Sequence, residues 1–245
     1  MTDFAPVRCT HDGVALEGRI YSPGGAGPAP AVMLFPGGAG PGKTFYEYAK
    51  ALTDLGYLAI TVDMYGAEAD LSTPENAGAH FIALLEAPER LRARCLVWLD
   101  AVRALPAVDP ARIAALGYCF GGKCVLELAR SGADLAFVTS FHGLLDTHAP
   151  AQAGAVKAEI AVWAAGRDPF VPRAQLDDLR GELDAAGAKY QLTVFSDAQH
   201  SFTDPDHEGI MEGIAFDPMA SAVAWAGTLA LLDGKIGRGA PGIVT

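Results

Sequence analysis

The sequence predicts one α/β domain in which a mostly parallel β-sheet is flanked by helices on both faces. Short apolar segments alternate with amphipathic stretches along the whole chain. Most apolar segments are continuous rather than alternating, which is typical of strands buried on both faces. The 245 residues, 51% of them apolar, suffice for one large core. No linker or repeat divides residues 1–245, so we expect a single domain.

Seven strands and six helices are predicted, and for most of the chain strands and helices alternate. The strands occupy residues 14–21, 31–35, 58–63, 113–117, 137–141, 160–165 and 191–195. The helices occupy residues 44–55, 74–85, 88–105, 122–131, 172–186 and 218–232, and two of them begin with a capping residue followed by proline. Ligands of such sheets bind beyond the carboxyl ends of the strands, where we expect the site. We expect segment 71–94 to overlie the pocket.

The composition disfavours several classes of protein. A formal net charge of −11, spread along the chain, argues against nucleic acid and anionic membranes as partners. The apolar run 222–232 is too short to span a bilayer, and the first residues do not resemble a signal peptide. The four cysteines show neither C-x-x-C spacing nor a zinc-type cluster. We therefore expect reduced thiols in a cytoplasm, no metal or cofactor, and a monomer or homodimer.

The most informative segment is Gly117-Tyr118-Cys119-Phe120-Gly121, which ends an apolar run just before a helical pattern. This is the layout of a nucleophile elbow, with cysteine where serine is usual. The sharp turn strains the central residue and leaves no room for side chains at the flanking positions. A buried cysteine in a tight turn is the alternative interpretation. Cys124 is expected to be a core residue.

A nucleophilic Cys119 needs a base and an acid that orients the base. Asp168 follows the predicted strand 160–165 after a glycine turn, and His200 follows the strand 191–195. Taken singly, Asp168 would be a helix cap and His200 a surface residue. The order nucleophile, acid, histidine is that of α/β-hydrolases, which favours a triad.

Three other acids and one histidine compete for these roles. Asp146 also follows a strand and is the best alternative acid, whereas Asp197 is expected to point away from the imidazole. Asp63 ends a strand and is expected to have a structural or turn role. His142 either lines the pocket or is a buried structural histidine.

An acyl-transfer site also needs donors for an oxyanion. The N–H of Phe120 at a helix start is one natural donor. The second usually comes from the loop after an early strand, and here Gly37, Gly38 and Gly40 allow a close approach.

The same loop satisfies a competing pattern. Residues 37–44 match G-x-x-x-x-G-K-T, the phosphate-binding loop, with Lys43 as its lysine and Asp63 as a candidate metal-binding acid. Pro41 lacks the N–H that a phosphate cradle uses. A nucleotide-binding protein using 37–44 is therefore the alternative from another class.

Segments 117–122 and 166–172, together with His200-Ser201-Phe202, resemble the dienelactone hydrolases, also called carboxymethylenebutenolidases. The resemblance extends over about residues 32–232. It implies a single α/β-hydrolase domain without a large cap and a small-molecule ester or lactone substrate. It further implies a triad of Cys119, Asp168 and His200, with oxyanion donors at Phe120 and Gly38.

Two departures from the family pattern bear on the substrate. The family typically has an acid that contacts the resting thiol where this chain has Gly37, and an arginine shortly after the histidine where this chain has Asp204. Another family arginine corresponds only loosely to Arg90 or Arg94. We therefore expect neutral esters or lactones, with phosphotriesters as a side activity, rather than an anionic dienelactone. The expected substrate contacts are Gly37, Tyr118, His142, Phe170 and Phe202.

Overall fold

The computed structural model describes residues 4–25 and 27–237. The strands are β1 Phe4–His11, β2 Val14–Tyr21, β3 Ala29–Phe35, β4 Leu58–Thr61, β5 Val108–Tyr118, β6 Phe137–Phe141, β7 Glu159–Ala165 and β8 Tyr190–Phe195. The helices are α1 Lys43–Asp54, α2 Pro74–Leu85, α3 Pro88–Arg103, α4 Phe120–Arg130, α5 Arg173–Ala186 and α6 Pro218–Ile236. A 3₁₀ turn at Pro205–His207 precedes α6.

All the strands belong to one sheet with the order β1-β2-β4-β3-β5-β6-β7-β8. β2 runs antiparallel to both of its neighbours, and every other pair is parallel. Six carboxyl strand ends, those of β3 to β8, therefore meet at one edge. The predicted mostly parallel α/β sheet is confirmed.

Each face of the sheet carries its own apolar core. In β3, Met33 and Phe35 pack with α3, α4 and α5, whereas Val32 and Leu34 pack with α1 and α6. All four side chains are fully buried, which explains why the strand is continuously apolar. The predicted two-sided burial is confirmed.

The helix α4 is buried along all of its 11 residues. Its charged side chains are paired: Lys123 Nζ lies 2.9 Å from Asp146 Oδ2, and Arg130 contacts Glu127 at 3.0 Å and Glu182 at 2.9 Å. Buried charges are tolerated only with such partners. The helix is thereby enclosed by the sheet, α3, α5 and the loop after β6.

Several boundaries differ from the predictions. β1 was not predicted because it is an edge strand with a single fully buried side chain, Val7, and so lacks an apolar run. β5 begins at Val108 rather than 113, and α4 begins at Phe120 rather than 122 because the helix starts immediately after the turn. Within residues 4–25 and 27–237, no helix is long and apolar enough to cross a membrane.

Candidate active site

Cys119 is the one residue between β5 and α4. Its φ of +53° lies in the left-handed region, which is strained for a residue with a side chain. A Cβ at Gly117 would lie 1.9 Å from the Gly121 carbonyl oxygen, and a Cβ at Gly121 would lie 2.1 Å from that of Phe35. Both glycines are therefore required by contact, and the predicted strand–turn–helix is confirmed.

Asp168 and His200 lie together at the carboxyl ends of β7 and β8. The distance between His200 Nδ1 and Asp168 Oδ2 is 2.7 Å, and both side chains are buried. The other carboxylate oxygen of Asp168 accepts the Phe170 N–H at 2.9 Å. This arrangement leaves Nε2 of His200 free to face Cys119, with which His200 hydrogen-bonds. The structure thus brings the three predicted triad residues into one chain of contacts.

The electrostatics of this group favour separated charges. Burial alone would raise the pKa of Cys119, but the hydrogen bond and charge of His200 and two backbone N–H groups lower it below its usual value. Burial alone would lower the pKa of His200, but hydrogen bonds to Asp168 and Cys119 raise it to about 10. Both shifts favour a thiolate paired with an imidazolium over the neutral thiol and imidazole.

The two N–H groups that approach the Cys119 sulfur belong to Gly38 and Phe120. The Gly40 N–H donates to the Gly37 carbonyl at 2.9 Å, which fixes the peptide that carries the Gly38 N–H. The Phe120 N–H is the first of α4, where the helix dipole also favours negative charge. Both predicted oxyanion donors therefore lie beside the sulfur.

A cavity of about 450 Å³ opens onto Cys119 and His200. Its wall is mainly apolar and includes Phe45, Phe81, Leu144, Phe170, Ile210 and Met211. Among the described residues that line it, Asp204 carries the only carboxylate, and none is a lysine or an arginine. α2 contributes one wall, so part of segment 71–94 overlies the cavity as expected. α3 instead packs in the core.

Four of the five expected substrate contacts, Gly37, Tyr118, His142 and Phe170, line this cavity. The prediction that Phe202 contacts the substrate is wrong. Its side chain is fully buried and packs against Phe195 and His142, with ring centroids 5.3 and 5.1 Å away. The left-handed backbone of Ser201, with φ of +57°, reverses the chain after the histidine and turns Phe202 into the core.

His142 is held inside the protein. Its Nε2 lies 2.8 Å from Thr203 Oγ1, and its ring packs edge-to-face on His200 with centroids 5.2 Å apart. Burial lowers the pKa of His142 well below its usual value, and the nearby charge of His200 lowers it further. The lowered pKa favours a neutral imidazole for His142, which lines the cavity beside the candidate triad.

The competing acids are committed elsewhere. Asp146 contacts Lys123, and Asp197 pairs with Arg167 at 2.5 Å on the surface. Asp63 accepts the backbone N–H groups two and three residues after it, which is the expected turn role.

The arginines and the phosphate-loop lysine do not reach the cavity. Arg94 is buried and donates to the Met64 carbonyl, while Arg90 pairs with Asp12. Lys43 is 77% exposed and lies 3.6 Å from Glu47. The lysine of the phosphate-loop pattern therefore faces solvent, and the glycines of that loop serve the Cys119 site.

Several contributors to the site were not predicted individually, among them Ile210, Met211 and Tyr65. Ile210 and Met211 line the cavity from a loop rich in acids and glycine, where a pair of apolar residues was the available signal. Tyr65 donates its hydroxyl to the Gly38 carbonyl, and its position after a parallel strand was the signal for it.

The sheet order, the turn at Cys119 and the cavity at the strand ends define the class of α/β-hydrolases. A family model described as the dienelactone hydrolase family matches residues 16–235. The chain belongs to the dienelactone hydrolase family and is a hydrolase of ester or lactone bonds.

Solved structures and a curated relative agree with this assignment. A structure named m3DLH has a TM-score of 0.89 and 32% identity, covering 96% of this chain and 98% of its own. The dienelactone hydrolase-like promiscuous phosphotriesterase P91 from metagenomic libraries has a TM-score of 0.89 and 30% identity, covering 96% and 99%. A probable 2-oxo-3-(5-oxofuran-2-ylidene)propanoate lactonase of Bradyrhizobium sp is 28% identical over 84% of each chain.

Proposed function

We propose that this protein is a cysteine-dependent hydrolase of neutral carboxylic esters or lactones, with Cys119 as nucleophile, His200 as base and acid, and Asp168 as the orienting group. One observation carries the proposal: Cys119 and Gly38 line one cavity with His200, which Asp168 holds at 2.7 Å, and hydrogen bonds from His200, Gly38 and Phe120 lower the pKa of the Cys119 thiol. Nucleophile, proton carrier and oxyanion donors thus converge on one point, which is what acyl transfer requires.

The steps follow from these contacts. The thiolate attacks the carbonyl carbon, and the carbonyl π electrons move to oxygen, where the N–H groups of Gly38 and Phe120 receive the charge. The tetrahedral intermediate collapses to a thioester as imidazolium His200 gives its proton to the departing alkoxide. Neutral His200 then takes a proton from water, and the resulting hydroxide releases the acid and restores the thiolate. Asp168 fixes the imidazole tautomer throughout.

The charge of the cavity supports a neutral substrate. Asp204 lines a wall that is otherwise mainly apolar, and no described lysine or arginine lines that wall. Its carboxylate accepts the Asp206 N–H at 3.0 Å and lies 3.7 Å from Nε2 of His207, which also lines the cavity. An anionic substrate would lose hydration and meet a like charge. This argues against dienelactone hydrolysis proper, although a similar protein carries the name of a lactonase.

Neutral phosphotriesters are a second substrate class. Their P=O oxygen suits the same two N–H donors, and the similarity to the promiscuous phosphotriesterase P91 supports this side activity. Sustained release of p-nitrophenol from paraoxon is expected. A single burst equal to the enzyme concentration would mean that phosphorylated Cys119 is not released, and would contradict it.

The main test compares two esters of similar size, p-nitrophenyl butyrate and the anionic p-nitrophenyl succinate. We expect the butyrate to be preferred in kcat/KM and both activities to vanish in Cys119→Ala and His200→Ala. An Asp204→Asn variant should raise kcat/KM for the succinate ester and so reduce the preference for the butyrate ester. Full activity of both alanine variants would refute the triad, and preference for succinate would refute the substrate class.

A further inference from the structure

Tyr65 links the two candidate oxyanion donors. It lies in the loop after β4, and its hydroxyl donates to the Gly38 carbonyl at 2.7 Å across 27 residues of sequence. Its ring also stacks on the ring of Phe120, with centroids 6.0 Å apart and an interplanar angle of 15°. One side chain therefore contacts both residues whose N–H groups approach the Cys119 sulfur.

Tyr65 is itself held from several sides. Its side chain is buried, and its backbone N–H donates to Asp63 Oδ1 at 2.8 Å. His80 of α2 stacks on the ring as well, with centroids 5.7 Å apart. Because these contacts leave Tyr65 few alternative positions, Tyr65 can hold the groups it contacts in place.

The loop that Tyr65 contacts needs such support. Residues 37–42 include four glycines, whose backbone is otherwise free to adopt many conformations. The Gly40 N–H fixes the peptide before Gly38, and the Tyr65 hydroxyl fixes the peptide after it. The Gly38 N–H is thus held by a hydrogen bond on each side.

The hydroxyl remains a donor at every working pH. Burial raises the pKa of Tyr65 well above its usual value, and the nearby thiols Cys124 and Cys119 and Asp63 raise it further. A tyrosinate could not donate to a carbonyl, so this shift preserves the contact.

We propose that Tyr65 is a positioning residue for the oxyanion hole: its hydroxyl holds the Gly38 peptide and its ring holds Phe120, so that both N–H groups point at one oxygen. The inference rests on the proposed function. It assigns Tyr65 no contact with the substrate.

The test is Tyr65→Phe, which keeps the ring and removes the hydroxyl. Loss of a direct oxyanion donor costs about 10²–10³ in rate, so an indirect loss should lower kcat for p-nitrophenyl butyrate about tenfold, with KM changed less than about twofold. Alkylation of Cys119 by iodoacetamide at saturating alkaline pH should keep its rate, because displacement at a saturated carbon forms no oxyanion.

Tyr190→Phe is the matched control, since Tyr190 also donates a 2.7 Å hydrogen bond, to Asp184, but lies at the amino end of β8. It should leave both reactions unchanged. Circular dichroism gives the folded fraction of each variant, and turnover is expressed per folded molecule.

Two results for Tyr65→Phe would overturn the inference: an unchanged kcat, or an equal loss in turnover and alkylation. A Cys119→Ala enzyme that retains turnover would instead overturn the proposed function, and the inference with it. The two failures are therefore distinguishable.

Discussion

Cys119 and Cys124 lie five residues apart at the start of and within α4, yet their acidities move in opposite directions. Burial raises the pKa of both thiols. For Cys124 the neighbouring thiol of Cys95 raises it further, whereas for Cys119 the partners reverse the effect. Burial therefore does not make a thiol reactive, and the groups around the sulfur decide its state.

The two sulfurs differ in what surrounds them. Cys119 lies at the carboxyl edge of the sheet, where loops after β3 and β8 bring Gly38 and His200 to it. Cys124 lies one helical turn further on, between α4 and α3, where Cys95 is its thiol neighbour. The thiol just before α4 therefore has a lowered pKa, and the thiol within α4 has a raised one.

The largest expected effect comes from replacing each of the two cysteines by alanine. Cys119→Ala should reduce ester turnover by at least about 10³-fold, because removal of a nucleophile leaves only binding and oxyanion stabilisation. Cys124→Ala should retain kcat per folded molecule. Steady-state hydrolysis of p-nitrophenyl butyrate measures kcat for both variants. Equal losses of activity would contradict the difference in role between Cys119 and Cys124.

The next effect concerns the acid. Asp168→Asn should lower kcat on the order of 10²-fold, less than the roughly 10⁴-fold seen in serine triads, because a thiolate needs less help from its base. A loss of imidazolium character should also raise the pKa of Cys119. The pH profile of iodoacetamide alkylation reports that shift, and an unchanged midpoint would contradict it.

A smaller effect is expected at the position where the family has an acid. A Cβ at Gly37 would lie 3.6 Å from the Cβ of Cys119, an ordinary contact, and Gly37 borders the cavity. In Gly37→Glu the carboxylate should raise the pKa of Cys119, since a like charge opposes the thiolate. Reactivity at neutral pH should fall about tenfold and recover as the pH rises.

Gly37→Gln is the control for that variant, since it adds the same volume without charge. In the wild-type protein the pKa of the Cys119 thiol lies below its usual value of 9.0, so the thiol is still alkylated as the pH falls below 9.0. A raised pKa in Gly37→Glu should therefore shift the midpoint of the alkylation profile to higher pH. Equal midpoints in the Glu and Gln variants would show that charge at position 37 does not reach the sulfur.

The smallest effect is on stability. Cys124→Ala removes a fully buried sulfur and should lower the free energy of unfolding by about 1 kcal/mol, as for other small core deletions. Urea unfolding monitored by circular dichroism measures this. Cys119→Ala should lower it less, because Cys119 is partly exposed to the cavity.

The candidate triad residues were easier to predict from the sequence than the residues that hold them and the oxyanion donors in place. Asp168 and His200 follow strands whose apolar runs are plain in the sequence, and parallel strands bring their carboxyl ends together, so the group could be predicted from spacing. The Tyr65–Gly38 hydrogen bond depends on the neighbouring positions of β3 and β4 and on a side-chain direction, neither of which periodicity reveals. The direction of Phe202 depended on one left-handed residue, Ser201.

The complete burial of α4 has a consequence for how this protein can change over generations. Any substitution in a helix that touches the protein on every side disturbs packing, so the helix that follows Cys119 tolerates little variation. Gly78 of α2 also lines the cavity, yet a Cβ there would meet no atom within 4 Å. Substitutions in α2 and in the loop bearing Met211 therefore have more room to change the cavity than substitutions in α4.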